Sequence, residues 1–383
     1  MSGIRTEEIM NKRITPPVRL GSYPPADVTF LLKDLSRVSL ERATEERERA
    51  IQSGVHYSEM LPVEYQPTAQ YIELFHETLQ QSAGKVALAV AVVSEIIVAR
   101  RGKGAVLVSL ARAGTPIGVL IRRYIAEIYG WEFPHYSISI IRGKGIDENA
   151  ILYILQQHGQ DADLQFIDGW TGKGAIRKVL IEACDRLHRK YGIRLNDDLA
   201  VLADPGHCSG TFGTREDYLI PSACLNSTVS GLMSRTVLRD DLIGPDEFHG
   251  AKFYKEWLDT DQSNVFIDSI SPYFAGAAAE ARRSAMDMLD SPPEITWQGL
   301  RDIQNIQQTF GIEDINLVKP GVGETTRVLL RRVPWKILVD TMDNPNLRHI
   351  LLLAEDRGVP VEVFPGMTYS CCGIIKPLKG ESE

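Results

Sequence analysis

Three strand-to-helix junctions carry the residue types that hold anions. The densest is FIDGWTGKGAI at 166–176, where an apolar run ends in Asp168 and Gly169. Thr171, Gly172, Lys173 and Gly174 follow before a helical pattern begins. Glycines let the backbone approach a phosphate closely, and the free N–H groups and dipole of a helix N-terminus face the anion. A Walker A loop is excluded, because Lys173 is followed by Gly174 and the magnesium-binding position lacks a hydroxyl. The second junction, SLARAGTPIG at 109–118, sets Arg112, Ala113, Gly114 and Thr115 ahead of Pro116, a residue suited to a first helical turn. Arg112 offers forked donors to an oxyanion, and also suits a plain surface position. The third, IIRGKGIDENA at 141–150, places Arg142 and Lys144 among glycines, as a cationic turn able to close over developing charge. A fourth segment runs from Asp204 to His207 and Cys208, combining an acid, an imidazole and a thiol. It admits proton transfer or base recognition, and equally an aspartate that only caps its own loop.

These loops need a frame. Between residues 104 and 205, short β-branched runs alternate with helical patterns, the signature of βαβ units around a mostly parallel sheet. The expected strands are 105–110, 136–141, 164–167 and 199–203, each a near-continuous apolar run. The expected helices are 117–129, 148–158 and 175–191, with Gly130 and Gly192 in the positions of C-terminal caps. Right-handed crossovers put every strand-to-helix loop on one edge, where ligands of such sheets bind.

The chain, at 383 residues, exceeds what one core usually fills. Three parts are expected: an extended arm over 1–50, an α/β domain over 51–290 and a smaller α/β unit over 300–379, with a linker at the Ser291, Pro292, Pro293 break. With 44% apolar and 24% charged residues, wholesale disorder is excluded. A net charge of −8 limits any nucleic-acid contact to a local patch. The apolar stretch 86–99 is too short for a membrane helix and predicts a buried one. No signal-peptide pattern opens the chain, and five irregularly spaced cysteines suit reduced thiols, so a cytoplasmic protein without a membrane partner is expected. A homo-oligomer is left open.

The loop at 166–176 resembles the phosphoribosyl-pyrophosphate loop of type I phosphoribosyltransferases. The 109–118 loop resembles that family's pyrophosphate loop, and the 141–150 loop its flexible catalytic loop. The resemblance implies a parallel sheet with helices on both faces. It implies that Asp168 and Gly169 meet ribose, that Thr171, Gly172, Lys173 and Gly174 cup the 5'-phosphate, and that Arg112, Ala113, Gly114, Thr115, Arg142 and Lys144 surround the diphosphate. Asp204 then lines the acceptor side, and magnesium binds through the substrate's diphosphate rather than at a protein metal site. Gly169 stands where that motif usually has a second acid.

HYSEMLPVEY at 56–65, FIDGWTGKGAI and ADPGHCSGTFGT together resemble a bacterial family associated with tellurite-resistance and stress operons. Its members join a predicted phosphoribosyltransferase to a C-terminal Pelota-type RNA-binding domain, and some carry the name cysteine protease StiP. That resemblance implies chemistry at the anomeric carbon of a 5-phosphoribosyl substrate, in stress-linked ribonucleoside biosynthesis. VKPGVGETTRVLLRR, WKILVD and HILLLAEDRGVPVEVFP resemble the Pelota and L7Ae-like fold, implying RNA contact by Lys319, Arg327, Arg331 and Arg332. A solvated basic face is the plain alternative. Two other functions stay open: a cysteine peptidase using Cys208 with His207 or another thiol, such as Cys371 or Cys372 with His349 the closest histidine, and a non-catalytic ribosyl-phosphate sensor.

Overall fold

The computed structural model describes residues 11–376, so the outermost parts of the expected arm and of the C-terminal unit lie outside the described residues. The first strand, β1 (Thr29–Leu31), comes from the segment expected to be an arm. It pairs in parallel with residues 136–138 and buries Phe30 and Leu31, which makes this segment the sheet's edge rather than an appendage.

Helix α1 (Ala69–Arg101) follows, a single run of 33 residues. It contains the apolar stretch expected at 86–99 and is long and apolar enough to cross a membrane, yet 72% of its most apolar window is buried inside the protein. Val86, Val90, Val93 and Ile97 are fully covered, and each such side chain stabilises the fold by about 1.5–3 kcal/mol.

The units β2 (Ala105–Ala111), α2 (Gly114–Tyr129), β3 (His135–Ile141), α3 (Glu148–His158), β4 (Asp163–Trp170), α4 (Ala175–Tyr191), β5 (Leu199–Ala203) and β6 (Thr211–Thr214) complete the large sheet. Its order is β1-β3-β2-β4-β5-β6, all neighbours parallel, with the short strand Gly145–Ile146 antiparallel to β3. Strand β4 runs two residues past Asp168 because Trp170 still pairs with Ala203. Gly130 and Gly192 end α2 and α4 in the left-handed conformation, as their spacing predicts. One core packs α1, α2 and α5 (Phe274–Asp290) against one face of the sheet, and a second packs α3 and α4 against the other.

The C-terminal unit comprises α6 (Gln298–Thr309), β7 (Val318–Pro320), α7 (Val322–Arg331), β8 (Pro334–Val339), α8 (Arg348–Asp356), β9 (Val361–Val363) and β10 (Cys371–Ile375). Its sheet has the order β7-β10-β8-β9. Ile303 and Ile306 of α6 cover one face, while Leu329 of α7 and Ile350 of α8 belong to the core on the other.

Candidate functional site

Parallel strands bring the ends of β2, β3, β4 and β5 to one edge, so the four chemistry-bearing loops meet there. The contact between them is tight. A Cβ on Gly114 would lie 2.4 Å from the Ile167 carbonyl, and one on Gly206 would lie 2.2 Å from the Gly172 carbonyl. Only glycine fits either crossing.

Two cavities open at this edge and share Asp168, Trp170 and Ile176. One, of roughly 200 Å³, is bordered by Arg142, the 171–174 turn and Lys319. The other, of roughly 250 Å³, is bordered by Arg112, Ala113, Arg235 and Arg327. Lys319 and Arg327 belong to the C-terminal unit, so both cavities lie along the seam between the two units.

Several side chains expected at a ligand are already engaged. The Thr171 hydroxyl donates to Asp204 Oδ1 at 2.7 Å and accepts from Gly206 N. Asp204 also accepts from Cys208 N and Ser209 N, and pairs with Arg215 at 3.4 Å. The loop-capping role is therefore the one this carboxylate fills. Thr115 is buried and shares a hydrogen bond with Ser137. Lys173 turns from the expected phosphate position, its Nζ donating to the carbonyls of Ile315 at 2.8 Å and Val318 at 3.3 Å. Burial, with Lys319 and Arg142 nearby, lowers its ammonium to about 8. Lys144 borders neither cavity. Arg112 is held by Glu64 at 3.3 Å and by the Met233 carbonyl at 3.2 Å. Burial alone would raise Glu64, but Arg112 keeps its carboxyl below the usual range.

Asp168 remains open to chemistry. Its side-chain partner is its neighbour's amide, Gly169 N at 2.8 Å, and burial pushes its carboxyl up to about 7. Arg142 also reaches the cavity, its own amide donating to the Tyr57 hydroxyl.

The residues expected to meet RNA divide differently. Arg327 donates to the Ala223 carbonyl and pairs with Glu324 at 3.1 Å, while Arg331 donates to the Tyr71 hydroxyl and the Cys224 carbonyl. Both thus fasten α7 to the large domain. Arg332 is exposed, and Lys319 faces the cavity with its ammonium lowered by burial.

Cys208 is fully buried; its thiol donates to the Gly206 carbonyl at 3.3 Å and lies near the Gly172 carbonyl at 3.8 Å. Burial, then the Asp204 charge, raises it to about 12. His207, with φ of 53°, is lowered below its ordinary value by burial and by Arg215. Trp297 N donates to the His207 carbonyl, Tyr369 Oη donates to the Gly172 carbonyl, and a Cβ on Gly174 would meet both the Trp297 ring and the Cys208 sulfur. The C-terminal unit and the linker before it therefore close over this thiol. All five cysteines are buried, and Cys184 and Cys224 are likewise raised to about 12.

Sequence reasoning gave no role to Glu64, Asp217, Arg235, Trp297 or Tyr369. Glu64 lay within the quoted 56–65 segment, but its partner Arg112 is 48 residues away. Arg235 comes from an irregular stretch with no periodic signal.

The profile of the tellurite-like stress resistance cysteine protease StiP family matches residues 21–271, and that of the PELOTA RNA binding domain matches residues 297–377. Cysteine protease StiP of Acinetobacter baylyi is 36% identical over 360 residues, 90% of each chain. A solved C-DES lysine-to-alanine mutant, with glycine covalently linked to its PLP cofactor, aligns over 86% of each chain at 11% identity and a TM-score of 0.24, too remote to bear on fold or chemistry. The expectation of a phosphoribosyltransferase is overturned by the first and third of these matches, since family and relative are both named for thiol proteolysis. The magnesium expectation rests on that transferase's diphosphate and loses its reason with it. Membership follows directly: this chain belongs to the tellurite-like stress resistance cysteine protease StiP family and carries a PELOTA-type domain at its C-terminal end.

Proposed function

We propose that this chain is a thiol-dependent peptidase of its stress-resistance family, shut in the present conformation, with Cys208 as its nucleophile. One observation carries the choice of thiol: Cys208 adjoins a histidine in the chain and is tied through its own N–H to the buried Asp204, with its sulfur 3.8 Å from the carbonyl of Gly172, a residue that lines one cavity. Cys184 sits in the core between sheet and α4, and Cys371 and Cys372 lie inside β10.

The chemistry requires a thiolate beside a base. A thiol near 12 that donates to a carbonyl is protonated at neutral pH, so the loop has to open before attack. Once open, the neutral His207 imidazole takes the thiol proton, sulfur bonds to the substrate's carbonyl carbon, and the amine leaves with that proton. Water then hydrolyses the thioester and restores the thiol. Asp204 positions this loop through Cys208 N and Ser209 N.

The test is hydrolysis of a casein-type substrate under reducing conditions. Activity is expected to vanish in Cys208→Ala and persist in Cys184→Ala, and an active Cys208→Ala protein would rule out this nucleophile.

The match over 297–377 supports RNA contact by the C-terminal unit as a second reading. In this conformation Arg332 is open to a phosphate backbone, whereas Arg327 and Arg331 are occupied in the seam. Arg332→Ala should weaken RNA retention in a gel-shift assay and flatten its salt dependence. Unchanged retention would remove Arg332 from that face.

A further inference from the structure

The segment that joins the two units lies along the loop that carries Cys208. Residues 294–299, with the sequence Glu-Ile-Thr-Trp-Gln-Gly, are held there through main-chain groups. Trp297 N donates to the His207 carbonyl at 3.0 Å and Gly299 N to the Gly206 carbonyl at 3.2 Å. Arg215, which also pairs with Asp204, donates to the Glu294 carbonyl at 2.7 Å. Among the described residues, His207, Leu232 and Trp297 are the non-glycines with positive φ. Two of these three are bonded to one another across this contact. Backbone in that region persists where its surroundings over-determine it, as they do at ligand clamps.

The side chains of the segment meet a floor of glycines. The half-buried Trp297 ring presses on Gly174, where a Cβ would clash with the ring and stand 2.9 Å from the Cys208 sulfur. Lys178 Nζ lies 5.5 Å from the centroid of the same ring, a cation–π approach. Ile295 rests on Gly210, 3.5 Å from where a Cβ would be, and keeps 43% of its surface exposed. The Trp297 carbonyl is drawn into the first turn of α6, accepting from Leu300 N at 3.1 Å and Arg301 N at 3.4 Å. The segment thus fills a seat shaped for a peptide while its next carbonyl is engaged elsewhere.

We propose that residues 294–299 are an internal occupant of the peptide groove at Cys208, and that the substrate which displaces them carries an aromatic residue at the place of Trp297 and an aliphatic one two residues earlier. Gly174, Lys178 and Gly210 then set side-chain specificity, and the carbonyls of Gly206 and His207 hold the peptide backbone. This names the substrate class of the peptidase reading and rests on that reading.

The probe is a fluorescently labelled hexapeptide, Glu-Ile-Thr-Trp-Gln-Gly, titrated by anisotropy into full-length protein. In the unchanged chain the tethered segment competes at high effective concentration, so the probe binds weakly. Trp297→Ala should tighten its binding about tenfold or more, and a probe with Ala in place of its Trp should bind that variant about tenfold more weakly, as loss of a buried aromatic anchor predicts. Bound probe should also slow iodoacetamide alkylation of Cys208. Equal binding to both proteins, equal binding of both probes, or an unprotected Cys208 overturns the groove. Should Trp297→Ala not fold, Ile295→Asp at its exposed position takes its place, and probe binding no tighter than in the unchanged chain overturns the proposal. Casein hydrolysis is read on the same variant: probe binding without hydrolysis keeps the groove and removes the nucleophile, whereas hydrolysis without probe binding keeps the peptidase and overturns the groove.

Discussion

Asp217 is the residue through which the two units are most sharply coupled. It lies on the segment after β6, and its buried carboxylate accepts from Val322 N at 3.0 Å, at the start of α7, and from Ser370 N at 2.9 Å, just before β10. The Ser370 hydroxyl donates back to the Asp217 carbonyl at 2.9 Å. Truncation to alanine removes both carboxylate contacts and strands two buried N–H groups, each costing about 1–3 kcal/mol. Their sum puts the loss for Asp217→Ala at about 2–6 kcal/mol, concentrated at the seam. The assay is amide hydrogen exchange at neutral pH together with a thermal melt. Val322 and Ser370 should lose protection and the melt should move down by several degrees, while amides of β2 and β4 keep theirs. Unchanged protection at Val322 and Ser370, with a melt shifted by less than the equivalent of about 1 kcal/mol, would refute the clamp, since no buried donor pair can be orphaned so cheaply.

Two other outcomes follow from the same edge. Burial raises Asp168 to about 7, so its native form holds a proton more tightly than the unfolded chain does. Its contribution to stability is full below about 3.9 and is lost as pH rises through about 7. Asp168→Asn should flatten that decline in urea melts taken between these values, and an identical slope in the variant would show that Asp168 is not desolvated. Trp297→Ala removes the ring above Gly174 and Cys208, so alkylation of Cys208 by iodoacetamide should accelerate about tenfold, read by peptide mass spectrometry; an unchanged rate would mean that this ring does not cover the thiol.

What the sequence determined by itself is the periodic part. The runs that became β2, β3, β4 and β5 are apolar almost throughout, and α3 and α4 occupy the spans their spacing predicts, because burial on both faces of a parallel sheet leaves little freedom in composition. Convergence of the loops on one edge was equally legible, since parallel strands impose it. β1, β6, β7 and β10 were not expected; β1 and β7 have only three residues and β6 four, and the strands that pair with β1 and β7 lie far away in sequence, whereas β6 pairs with the nearby β5.

Residue roles were decided by tertiary contact. Thr171, Lys173 and Asp204 have the chemistry of ligand-binding groups, but a hydroxyl 2.7 Å from a buried carboxylate and an ammonium 2.8 Å from a carbonyl are spent on holding the protein together. Arg327 and Arg331 read as a basic helix face, yet both are engaged by the large domain, Arg327 at the Ala223 carbonyl and Arg331, from an exposed position, at the Tyr71 hydroxyl. Spacing along a chain fixes which side of an element a residue occupies. Whether that side meets solvent, a ligand or another part of the same chain depends on what packs against it, and the partners at this seam are separated by as many as 260 residues.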